Sequence, residues 1–99
     1  MHYLIFDHSE GADGVVTLDA MASTSAAQHA LVMAEVQQVL AWARQRFPHT
    51  AGPVEDGMDW DHDLQVSSED GGWQTVTLTL SASARFAESF FEAFGRPKD

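Results

Sequence analysis

Asp59-Trp60-Asp61-His62-Asp63-Leu64-Gln65-Val66-Ser67, and beyond Asp70-Gly71-Gly72 the run Thr75-Val76-Thr77-Leu78-Thr79-Leu80-Ser81-Ala82, decide the fold of this chain. In each run large side chains alternate with Asp, Gln, Ser and Thr, the period of two that marks a strand with one buried face. A three-residue loop at 70–72, with glycine free to take the left-handed conformation, joins the runs as a hairpin. It sets Val66 against Val76, Leu64 against Leu78, His62 against Leu80 and Trp60 against Ala82. A two-residue loop would oppose Val66 to Thr75 and mix the faces, so that register is rejected.

Upstream, residues 23–47 carry Val32, Val36, Val39, Leu40, Ala43 and Phe47 within one stripe at helical spacing. Ser23, Thr24 and Ser25 offer N-caps, Ser25 with Gln28 makes a capping box, and Pro48 ends the helix. Residues 48–58, rich in Gly and Pro, form a connector. Downstream, Phe86, Phe90 and Phe94 share a second helical stripe with Ala87 nearby, between Ser83 and Gly95 as caps; 96–99 reads as a tail. Near the start, His2–Phe6 and Val15–Ala20 read as two strands around the polar, glycine-containing stretch 7–14.

The expected order is ββαββα in one domain over residues 1–99. Two helices cover one face of a four-stranded antiparallel or mixed sheet, making a two-layer α+β sandwich. A crossover through the long helix gives the strand order 1-2-4-3, with the second and fourth strands side by side and parallel. This topology is similar to a ferredoxin-like sandwich with its last strand moved to the front. The likeness comes from element order, and no residue motif accompanies it.

Ninety-nine residues with 44% apolar content suffice for one core, and 15 acids against 5 Lys and Arg give a net charge of −10. A chain without a basic stripe does not bind nucleic acid or anionic membrane by the usual cationic contacts. With no cysteine, disulfides, thiolate metal sites and a Cys nucleophile are excluded. The absence of a leader or long apolar run leads to the expectation of a cytoplasmic protein.

Asp59, Asp61 and Asp63 have the i, i+2, i+4 spacing of a calcium loop. Leu64 stands where the loop needs glycine and Asp70 where it needs Glu, and an extended strand spreads the carboxylates about 6–7 Å apart. They are weak metal candidates, better read as a solvated strand face. The five histidines show no zinc spacing, the serines sit at caps and turns, and Gly11-Ala12-Asp13-Gly14 precedes a strand, so it lacks the context of a phosphate loop. No catalytic or cofactor residue stands out.

The remaining signal is unplaced apolar surface: Tyr3, Ile5, Val15, Leu31, Trp42 and Trp73. It points to a non-enzymatic interaction module working as a homodimer, through a sheet face made half-apolar by Tyr3 with Ile5 or by Leu4 with Phe6, or through the edge of the first strand. Two other readings stay open. One is a ligand-binding or enzymatic sandwich with a pocket lined by His29, His62, Trp60 and Phe side chains. The other is an acidic, immunity-type protein that binds a basic partner.

Overall fold

A computed structural model describes residues 2–95, so the predicted tail at 96–99 lies outside the described residues. The elements are β1 (Asp7–Glu10), β2 (Val16–Ser25), α1 (Ala26–Arg46), β3 (Trp60–Ser68), β4 (Trp73–Ala82) and α2 (Ala84–Phe94), with a short 3-10 turn at Val54–Asp56. The strands form one sheet in the order β1-β2-β4-β3, and every neighbouring pair is antiparallel. The α+β sandwich and its strand order are those expected from the element sequence.

The β3–β4 register matches the alternation residue for residue: Trp60 with Ala82, His62 with Leu80, Leu64 with Leu78, Val66 with Val76. Gly71 and Gly72 make the turn, both at φ 81°. Because α1 carries the chain back across the sheet, β3 restarts from the end where β2 began and runs parallel to it. Its hairpin partner β4 then lies between them, antiparallel to both. The expected parallel pairing of the second and fourth strands is therefore corrected: the parallel pair is β2 and β3, and they do not touch.

The boundaries of the first half also differ. β2 extends through Ser25 because β4 offers ten residues of backbone to pair with, from Val16 opposite Ala82 to Ser25 opposite Trp73. Ser23 and Thr24 are thus strand residues. Ser25 alone stands at the N-cap, and its hydroxyl donates to Gln28 Oε1 at 3.3 Å. β1 is the polar run Asp7–Glu10, inside the stretch expected to lie between the first two strands, while the apolar residues 2–6 leave the sheet.

Val16, Leu18, Ala20 and Ala22 of β2 and Val76, Leu78, Leu80 and Ala82 of β4 form the floor of the core. Val32, Val36, Val39, Leu40 and Ala43 of α1 and Phe86, Ala87, Phe90 and Phe91 of α2 form its roof. Both helices lie over β2 and β4. The helix side of β3 beyond Trp60 is left open, so Val66 and His62 are exposed although they point to the inner face. Burying a leucine against full packing on both sides is worth a few kcal/mol. Leu78→Ala should cost about 2–5 kcal/mol and Thr77→Ala, on the solvated face, less than about 1 kcal/mol. Urea or guanidinium melts of the two variants check this, and the opposite order would invert the assigned faces.

Candidate functional site

Three places bring polar or unsatisfied groups together. The first is a knot at the junction of the 48–58 connector, β3 and α2. Asp59 is buried, accepts from Ser83 Oγ at 2.7 Å and Arg85 Nε at 2.8 Å, and takes a second bond from the other arm of the same guanidinium. Ser83 in turn caps α2 by accepting from Phe86 N at 3.2 Å, and its own N–H donates to Asp59 O at 2.7 Å. The guanidinium of Arg85 lies over the Phe47 ring, and Trp60 Nε1 donates to Phe47 O at 3.2 Å. Arg85 holds the Asp59 carboxyl well below the usual carboxylate range, outweighing the opposing effect of burial, and Ser83 adds to the lowering.

An open cleft of about 500 Å³ borders this knot, lined by Asp13, Val15, Val54, Glu55, Met58 and Ser83 among others. Several of its polar atoms are engaged within the chain. Asp13 Oδ1 accepts from Val15 N at 3.1 Å, and the Ser83 hydroxyl both donates to Asp59 and accepts from the α2 backbone. A nucleophile needs a neighbouring base to take its proton, and Ser83 has a carboxylate clamped by arginine instead. The knot joins elements; it is not arranged for proton transfer.

The second place is the outer face of the sheet, opposite the helices. Cross-strand register sets Asp7, Asp19, Thr79 and Asp63 in one row, and Ser9, Thr17, Ser81 and Asp61 in the next. Asp61 and Asp63 are exposed here while Asp59 turns into the knot, so the triplet does not converge. Among the described residues no three His, Asp or Glu side chains could hold a metal ion together. The half-apolar face expected on the first hairpin is absent, because residues 3–6 are not in the sheet. Its outward residues are Asp7, Ser9, Thr17, Asp19, Met21 and Ser23.

The third place is the N-terminal segment. The Glu35 carboxylate on α1 accepts from three successive backbone N–H groups: His2 at 3.0 Å, Tyr3 at 3.1 Å and Leu4 at 2.9 Å. Burial pushes its carboxyl up, but the N–H groups of Leu4, His2 and Tyr3 prevail and hold it below the ordinary value. Leu4 enters the core and Phe6 meets the Phe90 ring edge-on at 5.0 Å. With 2–6 drawn onto the helix layer, β2 has no strand partner on this side beyond Asp19 among the described residues. Sequence reasoning missed Glu35. The available signal was its isolation: it is the only acid between Asp19 and Glu55.

The predicted interface residues scatter. Tyr3 is half-buried against the core, and Trp42 is packed between the helices with its ring 5.4 Å from Phe86 and 5.3 Å from Phe94. Trp42 is thus a core residue, because α2 covers the flank of α1 that an isolated helix would expose. Val15 is half-buried ahead of β2, Ile5 and Leu31 are exposed, and Trp73 is half-exposed on the outer sheet face. Between sheet and helices Trp60 stacks on Phe86 at 5.8 Å, and Phe47 meets Phe86 tilted by 43° at 5.0 Å. His29 is half-buried on α1, and His62 stacks on Trp60 in the open part of β3. Among the described residues no helix is long and apolar enough to cross a membrane. Comparison of the chain with protein-family models, curated proteins and solved structures finds no match.

The knot has a measurable signature. The folded-state carboxyl of Asp59 lies below its unfolded value, so its contribution to stability is complete above about pH 4. That contribution is lost as the pH falls toward the lowered folded value. Asp59→Asn should cost about 1–3 kcal/mol at pH 7, the range for a buried acceptor losing charge-assisted donors. The penalty should shrink as the pH is lowered from 4, and denaturant melts at pH 7 and pH 3 measure both effects.

Proposed function

We propose that this protein is a non-catalytic interaction module that works as a homodimer, joined by antiparallel pairing of β2 with β2 of a second copy. The observation that carries this reading is the free edge Ala20-Met21-Ala22-Ser23-Thr24-Ser25, which bears no charge in a chain of net charge −10. The other two open edges are guarded: β3 carries Asp61 and Asp63, and β1 carries Asp7 and Glu10. Charged side chains on an edge strand discourage another strand from adding to it. The neutral half of β2 lacks that protection.

Electrostatics allows the pairing there. In a two-fold arrangement centred on Ser23, residue 21 faces residue 25 of the second copy, so that outward side chains meet outward ones. The two Asp19 side chains then fall about 27 Å apart along the strands, beyond the ~8 Å screening length at physiological salt. β1 fills the neighbouring lane only as far as Asp19, so the incoming strand meets it end to end. Edge pairing buries less area than a standard interface, which sets the expected affinity on the order of micromolar.

Sedimentation or light scattering should therefore show a monomer–dimer equilibrium that tightens with added salt, since both copies are acidic. Met21→Asp combined with Ser23→Asp should leave a monomer of unchanged fold. A wild-type chain that stays monomeric at high concentration and high salt removes this reading.

One observation favours a second reading, a basic protein partner on the outer sheet face. The strands place Asp7, Asp19, Asp61 and Asp63 there among hydroxyls, with no Lys or Arg in any strand. Binding of this kind should weaken steeply with salt and drop in Asp19→Asn with Asp63→Asn, read by calorimetry against a basic protein.

A further inference from the structure

We propose that residues 2–6 are an intramolecular competitor for the open edge of β2, and that Glu35 is the latch that holds them away. The inference rests on reading Ala20–Ser25 as a docking edge and assigns its regulation.

Continuing the β1–β2 register back from Asp7 opposite Asp19 sets Phe6 against Ala20, Ile5 against Met21, Leu4 against Ala22, Tyr3 against Ser23 and His2 against Thr24. Side-chain alternation then turns Leu4 and Phe6 to the inner face and Tyr3 and Ile5 to the outer one. The sequence of the segment suits this second placement, since Tyr3, Leu4, Ile5 and Phe6 are the aromatic and aliphatic kinds of side chain that fit a strand. Ile5 is 76% exposed and Met21 66% exposed, the two most exposed large apolar side chains among the described residues. Zipping the segment onto β2 makes them direct cross-strand neighbours, about 5 Å apart at Cβ, and covers part of each.

Against this stands the carboxylate of Glu35, which satisfies the N–H groups of His2, Tyr3 and Leu4 together. Hydrogen bonds to a charged acceptor are stronger than the amide–amide bonds of a ladder. The segment thus has two alternative sets of partners for the same backbone groups: the Glu35 carboxylate or the β2 edge. Glu35 selects the first and keeps the edge open to a second copy. Loss of the Glu35 contact closes the edge with the protein's own strand.

The chain lacks cysteine, so an engineered pair reports the zipped state without interference. Ile5→Cys with Met21→Cys places thiols on directly opposite residues, within disulfide reach only when the segment is paired. In the Glu35→Ala background, intramolecular disulfide formation should be at least roughly tenfold faster than with Glu35 present, the weight of one charge-assisted hydrogen bond. Glu35→Gln, which keeps the shape but not the charge, should fall between. Amide exchange along Ala20–Ser25 should slow in Glu35→Ala at concentrations where the chain is monomeric. Equal disulfide rates in the three backgrounds, with circular dichroism showing all folded, would overturn the latch. Unfolding of both Glu35 variants would also overturn it, since Glu35 would then be a brace the fold requires. The readouts are intramolecular, so a wild-type chain that never dimerises removes the docking reading and leaves the latch decided by the disulfide rates.

Discussion

The pleat of β4 is the constraint on which the rest of the molecule depends. Val76, Leu78, Leu80 and Ala82 are all fully buried, and each is the middle of a row that runs from β2 through β4 to β3. Since strand side chains alternate with a period of two, a slip of one residue would carry this whole set to the outer face. Both helices would lose their floor, and the threonines of β4 would be buried without partners. The glycine turn at 70–72 and the ten-residue pairing with β2 hold the register from its two sides.

At one end of this floor the buried carboxylate of Asp59 gathers its polar partners at a single point. Asp59 receives a hydroxyl and both arms of a guanidinium, and its carbonyl takes the Ser83 N–H. A buried carboxylate is tolerable only when its lone pairs are filled in this way. The arrangement also serves packing: it starts α2 at Ser83, so that Phe86 and Phe90 descend onto the core, and it lays Arg85 on the ring of Phe47. The same residues that resemble a reactive Ser–Asp pair are thus consumed in joining a connector, a strand and a helix.

The proposed function rests on the margins, where the sheet stops. The chain guards two edges with carboxylates and leaves one half-edge neutral. It spends a lone acid in the middle of a helix on the backbone of a segment whose side chains suit a strand. Each feature is explicable by itself as solubility or as backbone satisfaction. Together they ground the proposal that one segment has two alternative lanes and that one side chain decides between them.

Much of this was legible in the sequence because it depends on neighbours along the chain. The β3–β4 register follows from alternation and turn length, the end of α1 from Pro48, and α2 from the Phe stripe between Ser83 and Gly95. The exposure of Asp61 and Asp63 along the outer face of β3 was likewise readable, because side chains alternate along an extended strand. What only the tertiary structure decided involves partners far apart in sequence. Helix placement over β2 and β4 made Trp42 a core residue and left His62 and Val66 open, although both inner-face positions read as buried. The parallel relation of β2 to β3 followed from α1 carrying the chain back, with β4 inserted between them. The N–H groups of His2, Tyr3 and Leu4 go to Glu35, more than thirty positions away. Alternation records which sides of a segment are apolar, whereas an unpaired backbone N–H goes to whichever acceptor the folded chain brings within reach.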